Sequence, residues 1–292
     1  MKSDKQSLAS LAGKYHEPVL VHEVLEVLGL MAPLKTQARI IDATVGTGGH
    51  SLAMVKKGAN VLGIEADKEM IEIAEERVKA KIVYGNFRDI EKIAAENGFN
   101  RVDGIIFDLG VANVQLLAKK YGLSFSDPEA PLDMRLDKDR QGVTAADLLN
   151  GLREDQLKKM FLVTLMPFQT NYIVKNILLR RENKLFEKVG DFTDLCLNMR
   201  VKGSLHPATL PFLALRIAVN SELENLKEAL PKAFDLLKTG GKLLVVTFHS
   251  GEDKIVTKSF FGKSGRIIFP SETEVNNNPR ARSAKLYVFE KK

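Results

Sequence analysis

The chain has a single cysteine, Cys196, among its 292 residues. One cysteine cannot form an internal disulfide, supply a zinc cluster or build a redox pair, and it suits a reducing, cytoplasmic setting. Glycine and proline are also modest in number, at 21 and 10 residues, while 45% of the chain is apolar. This balance excludes collagen-like and disordered chains and predicts an ordinary soluble globular protein.

The chain also lacks a long hydrophobic run at its start. Residues 1–14 are polar apart from two leucines and two alanines, so they form neither a secretory core nor a membrane span. We therefore predict a flexible N-terminal tail over residues 1–15 and no membrane partner. Lys and Arg number 43 against 37 Asp and Glu, with a pI near 9.2. This small excess favours a polyanionic partner without establishing one.

Short β-rich runs alternate with helical stretches from residue 38 to residue 107, as in a doubly wound parallel sheet. A final strand is expected to be antiparallel at the sheet edge. The predicted strands cover residues 39–41, 60–64, 81–84, 104–107, 242–248 and, at the edge, 284–290. A helix over residues 68–79 would bury one apolar face, made of Met70, Ile71, Ala74 and Val78.

The alternation stops after Asp108, and residues 116–205 contain loops and helices with no clear strand. We predict a helical insert there. One of its helices would cover residues 145–150, with Thr144 as its N-cap, and another would cover residues 154–163.

The α/β pattern resumes after the insert. Apolar residues recur at three- and four-residue spacing over residues 212–230, which predicts one long amphipathic helix that Gly240–Gly241 would end. Residues 16–115 and 206–292 would then form one α/β domain.

A glycine-rich turn, DATVGTGGH at residues 42–50, directly follows the first predicted strand and opens a helix. Its glycines Gly46, Gly48 and Gly49 would let the backbone approach a ligand that a Cβ atom would exclude. Glu65 ends the second strand, nineteen residues after Gly46. At that place an acidic side chain accepts hydrogen bonds from the ribose hydroxyls of an adenosine cofactor.

Two features weigh against a nicotinamide or flavin cofactor. Ser51 imperfectly matches the third small residue of the dinucleotide fingerprint, and Asp42 would oppose a pyrophosphate at the helix N-terminus. Asp42, Glu65 and Asp108 end three strands that should gather around one crevice. S-adenosylmethionine suits such an acidic pocket, because it carries a cationic sulfonium and ammonium, a ribose and no phosphate. The residues therefore predict a class I methyltransferase, with no metal site.

Simpler interpretations stay open for several of these residues. A glycine-rich turn followed by a lone acid is a weak signal by itself, and Asp42 or Asp108 could be a plain helix cap. Phe87 follows the third strand, where its ring would either cover the adenine or belong to the core.

Several phrases along the chain go beyond a generic methyltransferase. They are HEPVL at residues 16–20, GGH at 48–50, PLDMR at 131–135, HPAT at 206–209, FHS at 248–250 and NPRARSAKL at 278–286. In this order they closely resemble the bacterial ribosomal RNA small-subunit methyltransferase H family (RsmH, also called MraW). The chain departs from the family at residues 112–114, which read ANV in place of Ser-Ser-Pro, and at residues 165–167, where a Gly-Glu-Glu is replaced.

The resemblance implies a class I, Rossmann-like α/β fold with a mostly parallel seven-stranded sheet. Residues 16–115 and 206–292 would bind S-adenosylmethionine, and residues 116–205 would be an inserted helical substrate-recognition subdomain. It also implies methyl transfer to the exocyclic 4-amino group of one cytidine in small-subunit (16S) ribosomal RNA, near the decoding centre. The cofactor residues carried over by motif are Gly48, Gly49, His50, Glu65, Phe87, Asp108 and Gln115.

A cytosine amino group is a poor nucleophile because its lone pair is delocalised into the ring, so nearby acceptors must localise it and take the released proton. Asp108 and the carbonyls of residues 109–111 are the first candidates, and His249 is the second, with a structural hydrogen bond as its alternative role. The candidate RNA-binding residues are the basic side chains of the last phrase, Arg280, Arg282 and Lys285.

Other functions stay open at this point. The altered residues 112–114 and 165–167 favour a catalytically impaired RNA-binding or ribosome-assembly factor with the same fold. A class I methyltransferase with another acceptor is a third hypothesis. The partner would be free small-subunit ribosomal RNA or the assembled subunit, and the oligomeric state is open, with a homodimer as one option.

Overall fold

The computed structural model describes residues 18–32, 37–201, 203, 205–260 and 264–292. The predicted tail over residues 1–15 and the start of the HEPVL phrase lie outside these residues. Contacts within the chain define two compact units, an α/β unit of Met1–Ala112 with Leu223–Lys292 and a helical unit of Asn113–Glu222. The helical unit begins just before the predicted insert at residues 116–205 and extends beyond its end.

The elements follow one another along the whole described chain. The strands are β1 (Arg39–Asp42), β2 (Asn60–Glu65), β3 (Lys81–Tyr84), β4 (Val102–Asp108), β5 (Leu237–Thr247), β6 (Gly265–Ile268) and β7 (Lys285–Glu290). The helices are α1 (Val21–Val27), α2 (Gly49–Lys56), α3 (Lys68–Arg77), α4 (Ile90–Glu96), α5 (Asn113–Leu117), α6 (Ala145–Gly151), α7 (Glu154–Phe161), α8 (Pro167–Arg181), α9 (Val189–Cys196), α10 (Thr209–Asn220), α11 (Glu222–Leu236), α12 (Ser250–Ser259) and α13 (Glu272–Asn277). Short 3-10 helices cover Phe87–Asp89, Lys119–Tyr121 and Pro279–Ser283.

The α/β unit is built on a seven-stranded sheet in the order β3-β2-β1-β4-β5-β7-β6. The first five strands pair in parallel, and β7 is antiparallel to both β5 and β6. Both faces of the sheet are covered, because Ile105 and Phe107 pack in one buried cluster while Ile106 packs in another. Burial on both faces explains the almost continuous apolar runs of these strands. The predicted class I α/β fold is confirmed.

The antiparallel direction of β7 is confirmed, but its predicted place at the sheet edge is wrong. The edge strand next to it is β6, and the sequence analysis did not identify it. Gly265–Ile268 is only four residues long, begins with glycine and arginine, and is largely exposed, so no apolar alternation marks it. Its pairing with β7 gives the segment its strand geometry.

Gly240–Gly241 does not end a helix, as the sequence predicted, but lies inside β5. Helix α11 already ends at Leu236, and the pairing of β4 with β5 is irregular between Val102 and Gly104. Gly240 has a φ of +78°, which an L side chain adopts only with strain. These glycines therefore lie where the pairing of a strand is irregular. Besides helix ends, such irregularities are a common position of glycine between apolar runs.

The single long helix predicted after the insert is two helices, α10 and α11. They are separated by Ser221, whose φ of 48° and ψ of 38° lie in the left-handed region. The apolar spacing continues across this break, so periodicity alone could not reveal it. Helix α3 is likewise shorter than predicted, because it ends at Arg77 and buries Ile73, whereas Ile71 is half-buried.

Replacing Ser221 with glycine should stabilise the fold by about 0.5–1 kcal/mol, because left-handed geometry costs an L residue about 1–2 kcal/mol and glycine's larger unfolded-state entropy offsets part of the gain. The Ser221 side chain is exposed, so no packing is lost. Urea unfolding measures the change. Lys227→Gly, inside α11 and also exposed, is the matched control and should lose about 1 kcal/mol. A destabilised Ser221→Gly variant would contradict the assigned backbone strain.

The helical unit contains the two helices predicted for the insert. Thr144 caps α6 as expected, in a reciprocal capping box with Asp147. Helix α7 begins at Glu154 as predicted but ends at Phe161. None of the described helices in either unit has the length and apolar character needed to cross a membrane.

Candidate cofactor-binding and active site

Asp42, the last residue of β1, is tied into the turn that follows it. Its carboxylate accepts hydrogen bonds from the Thr44 N–H at 3.2 Å and from the Ser51 hydroxyl at 2.6 Å, and the residue is only 1% exposed. Burial raises the pKa of Asp42, although these hydrogen bonds and the nearby His50 lower it in part. These contacts support the structural role that the sequence left open, in which Asp42 holds the glycine-rich turn against the start of α2.

The three glycines of the turn serve different purposes. A Cβ atom on Gly48 would lie 2.6 Å from a Val78 methyl group, and one on Gly49 would lie 2.8 Å from the Pro18 ring. Gly46 has a φ of +54° and open space where its Cβ atom would be. Contrary to the expectation that the glycines make room for a ligand, the protein's own packing requires two of them. Of the three, Gly46 is the one with open space on its Cβ side.

Glu65 joins the end of β2 to the same turn. One carboxylate oxygen accepts the Gly46 N–H at 2.7 Å, and the other accepts the N–H groups of Ala66 and Asp67, both at 2.9 Å. Burial raises the pKa of Glu65 to about 7, although these backbone hydrogen bonds lower it in part. The Glu65 side chain is half-buried. Its hydrogen bonds fix its orientation, and its raised pKa lets it change charge near neutral pH.

Asp108 ends β4 and faces His50 from the start of α2. The His50 Nε2 atom lies 3.4 Å from the Asp108 Oδ2 atom. Burial lowers the pKa of His50, but the carboxylates of Asp108 and Asp42 outweigh it and raise the pKa above its usual value. The Asp108 N–H donates to the Thr44 hydroxyl at 2.6 Å, which fixes this strand end to the glycine-rich turn. Asp42, Glu65 and Asp108 are thus all linked through the turn.

The other oxygen of Asp108, Oδ1, is buried and has no hydrogen-bond partner among the described residues. A buried acceptor without a donor costs about 1–3 kcal/mol, so such atoms are rare unless a ligand, water or reacting group supplies the donor. The side chain as a whole is 24% exposed, although Oδ1 itself is buried. Asp108 is thus not the plain helix cap that the sequence left open, and it has a free acceptor at the carboxyl end of β4.

Phe87 lies in the 3-10 helix that follows β3. Its ring packs edge-to-face on the Phe107 ring, with centroids 5.6 Å apart and planes at 84°. The side chain is nevertheless half-buried rather than buried. Both roles weighed for Phe87 are compatible with this position, because one edge contacts the core and part of the ring is exposed.

His249 caps helix α12. Its Nδ1 atom accepts the Gly251 N–H at 3.2 Å, and its Nε2 atom lies 3.3 Å from a Glu252 carboxylate oxygen. The other oxygen of Glu252 accepts the N–H groups of Phe248 and His249. The capping hydrogen bond at Nδ1 supports the structural alternative for His249, while Nε2 is buried and has no hydrogen-bond partner among the described residues.

The three predicted RNA-binding side chains differ in their surroundings. Arg280 donates from Nη2 to the Val111 carbonyl at 3.1 Å, and Lys285 forms an ion pair with Asp253. Although burial raises the pKa of Asp253, Lys285 and the Thr247 hydroxyl lower it below its usual value. Arg280 and Arg282 are both exposed on the same short 3-10 helix.

Gln115 lies on α5 in the helical unit, where it is buried. Two residues that build the α/β part of the site were not singled out by the sequence analysis, Thr44 and Glu252. Thr44 lies within the glycine-rich phrase, and Glu252 lies three residues after His249 in the capping-box pattern. The position of each residue within its sequence motif could therefore have identified both.

Comparisons with known proteins identify relatives of this chain. The model of the MraW methylase family matches residues 13–267. The ribosomal RNA small subunit methyltransferase H of Methylacidiphilum infernorum is 37% identical, covering 94% of this chain and 93% of its own. The protein of the same name from Coprothermobacter proteolyticus is 39% identical and covers 94% and 96%. An rRNA methylase structure from Streptococcus thermophilus has a TM-score of 0.45 at 10% identity, covering 93% of this chain and 95% of that one.

The family match spans most of the chain, and the relatives exceed one third identity over nearly their full length. The chain therefore belongs to the MraW methylase family and is an S-adenosylmethionine-dependent methyltransferase.

Proposed function

We propose that the protein transfers a methyl group from S-adenosylmethionine to the exocyclic 4-amino group of a cytidine in small-subunit (16S) ribosomal RNA, near the decoding centre. The names of the relatives supply the class of substrate. The observation that carries the proposal is the free acceptor of Asp108, the buried Oδ1 atom at the carboxyl end of β4. An amine that is methylated must give up a proton, and a buried carboxylate oxygen without a donor among the described residues supports Asp108 as the group that would take it.

The residues of the glycine-rich turn fit S-adenosylmethionine. Gly46 has open space beside it, and the Glu65 carboxylate is fixed at the end of β2, the place where ribose hydroxyls are accepted. Bound there, the cofactor would supply an activated methyl group on a cationic sulfonium. Asp42, Gly48, Gly49 and His50 would keep the turn in shape, Phe87 would contact the adenine, and Gln115 would be a further cofactor-binding residue.

Methyl transfer to an amine requires that the nitrogen be aligned with the methyl group and that a nearby group accept the released proton. Asp108 would accept a hydrogen bond from the cytosine amine, which localises the nitrogen lone pair, and would then take the released proton. Carbonyls of residues 109–111 would accept the second N–H. Most of the acceleration would come from holding the nitrogen in line with the methyl group. His249 would act indirectly, by capping α12.

The partner would be held by charge and by the helical unit. Arg282 is exposed and would contact an RNA phosphate, whereas Lys285 forms an ion pair with Asp253. We propose that the helical unit recognises the substrate, that the substrate is free ribosomal RNA or the assembled small subunit, and that the reaction occurs in the cytoplasm. A homodimer is one state in which the protein could act.

The test is a methyl-transfer assay with labelled S-adenosylmethionine and small ribosomal subunits from cells that lack the protein, followed by nucleoside analysis. N4-methylcytidine is the expected product. Label in another nucleoside or in protein would show a different acceptor. Absence of transfer, with cofactor binding confirmed by calorimetry, would instead favour an RNA-binding assembly factor, the role that the altered residues 112–114 and 165–167 leave open.

Affinity for S-adenosylmethionine should decrease as the pH is lowered from about 8 to about 6. Burial raises the pKa of Glu65 to about 7, so its carboxylate is ionised and accepts hydrogen bonds most strongly above that pH. Below it the protonated form dominates, and affinity falls by up to about tenfold per pH unit. Calorimetric titration at three pH values measures this.

Glu65→Gln is the matched control for this pH dependence. It keeps the side-chain shape but cannot ionise, so the part of the pH dependence due to Glu65 should disappear, while any part due to His50 persists. Equal affinity of the wild-type protein across the whole range would contradict the assignment of Glu65 to the ribose.

A further inference from the structure

Arg280 links two segments that are far apart in the sequence. Its guanidinium Nη2 atom donates to the Val111 carbonyl at 3.1 Å across the α/β unit. Val111 ends the loop that follows β4, and Asp108 is the last residue of that strand. The basic phrase predicted to contact RNA therefore touches the loop that continues from the candidate proton acceptor.

The loop of residues 109–111 is anchored at both ends. The Leu109 N–H donates to the Val246 carbonyl at 3.1 Å, and the side chains of Leu109 and Val111 are buried. Gly110 between them is exposed and has a φ of +106°, a conformation that an L residue adopts only with strain. The path of this backbone, and with it the direction of its carbonyl groups, depends on these anchors. The hydrogen bond from Arg280 is the polar anchor at its far end.

Arg280 lies on a 3-10 helix whose backbone is held rigidly. Pro279 opens the 3-10 helix with a fixed φ, and Ala281 is fully buried in one of the core clusters. Backbone hydrogen bonds from Ala281 to Asn278 and from Ala284 to Ala281 close the two turns of this segment. The guanidinium is a planar fork with fixed donor directions, so a rigid base lets it fix the position of the carbonyl that it contacts.

We propose that Arg280 is a positioning residue for methyl transfer, which acts by holding the loop of residues 109–111 beside Asp108, rather than a phosphate contact as the sequence predicted. The inference rests on the proposed function, in which Asp108 and the loop carbonyls accept the N–H groups of the cytosine amine. A loosened loop would leave RNA and cofactor bound but poorly aligned. Alignment errors of about 1 Å cost about 100-fold in rate.

The experiment measures kcat, the KM for small ribosomal subunits, the salt dependence of RNA binding and the calorimetric Kd for S-adenosylmethionine in full-length variants. Arg280→Ala should lower kcat by about 10- to 100-fold, with KM, salt dependence and Kd within about twofold of the wild type. Arg280→Lys should recover part of the kcat loss, because an ammonium still donates one hydrogen bond to the carbonyl.

Substitutions of two other arginines serve as controls for these measurements. Arg282→Ala, on the same 3-10 helix, should raise KM and reduce the slope of the salt dependence by about one. Arg266→Ala, an exposed residue on β6 outside the proposed site, should change none of the four quantities. An Arg280→Ala variant that behaves like Arg282→Ala, with kcat retained and KM raised, would overturn the proposal in favour of a phosphate contact.

Gly110→Ala tests the same loop without touching Arg280. Its Cβ atom would meet only a Phe248 ring atom at 3.9 Å, an ordinary contact, so the substitution acts through backbone strain at positive φ. It should lower kcat and spare KM, and unchanged kcat would overturn the proposal even if Arg280→Ala did not fold. Failure of the proposed function itself would be recognised separately, because the wild-type protein would then not produce N4-methylcytidine.

Discussion

Replacing Asp108 with asparagine should lower kcat of methyl transfer by about 100- to 10,000-fold, or about 3–5 kcal/mol in activation free energy. The Oδ1 atom of Asp108 is a buried acceptor without a donor in the described part of the chain, and the substitution removes its capacity to take a proton while keeping its shape. The hydrogen bond from the Asp108 N–H to the Thr44 hydroxyl uses only the backbone of Asp108, so it survives the change. Single-turnover assays on small subunits separate this chemical step from product release.

Asp235→Asn is the matched control for this prediction, because it makes the same chemical change at an exposed position on α11. It should leave kcat unchanged. Calorimetry should also show that the Asp108→Asn variant still binds S-adenosylmethionine, with a loss of affinity much smaller than the loss of rate. A variant with full activity would eliminate Asp108 as the proton acceptor and direct attention to the carbonyls of the following loop.

Replacing Glu65 with alanine should weaken the binding of S-adenosylmethionine by about 10- to 100-fold, because a hydrogen bond to a charged group contributes about 1.5–3 kcal/mol. Two effects add to each other. The ribose would lose its acceptor, and the Gly46 N–H would lose the carboxylate that it contacts at 2.7 Å, which loosens the turn. Calorimetric titration at about pH 8, where Glu65 is ionised, gives the largest difference.

Glu75→Ala, on the exposed side of α3, is the control for a general loss of negative charge in this region and should not change the Kd. Comparing Glu65→Ala with Glu65→Gln separates the two effects, because glutamine can still accept the Gly46 N–H. Unchanged affinity in both variants would contradict the acidic crevice as the cofactor site.

The strands around the site were predictable because each ends in an acidic residue after an apolar run. Asp42, Glu65 and Asp108 could be recognised in this way, and the parallel topology then brings their strand ends to one edge of the sheet. The glycine-rich turn could be recognised from its sequence, but the sequence explains only part of why its glycines are needed. Its spacing is typical of a cofactor turn, but contacts of Gly48 with Val78 and of Gly49 with Pro18 cannot be read from local sequence.

The elements that escaped prediction depend on distant contacts. Strand β6 is defined by its pairing with β7, and the left-handed Ser221 interrupts an apolar pattern that continues on both sides. The role of Arg280 depends on the Val111 carbonyl, 169 positions away in the chain. A basic phrase predicts charge on a surface, but only the folded chain decides which of its side chains is already occupied.

The position of β7 also bears on how the protein is made. Strand β7 follows the other six described strands in the sequence, yet it lies inside the sheet between β5 and β6. Until residues 285–290 have left the ribosome, the exposed edge of β5 has no neighbour and β6 has nothing to pair with. The central sheet can therefore be completed only after β7 has emerged, and a nascent chain stalled before Lys285 would present an open apolar edge to chaperones.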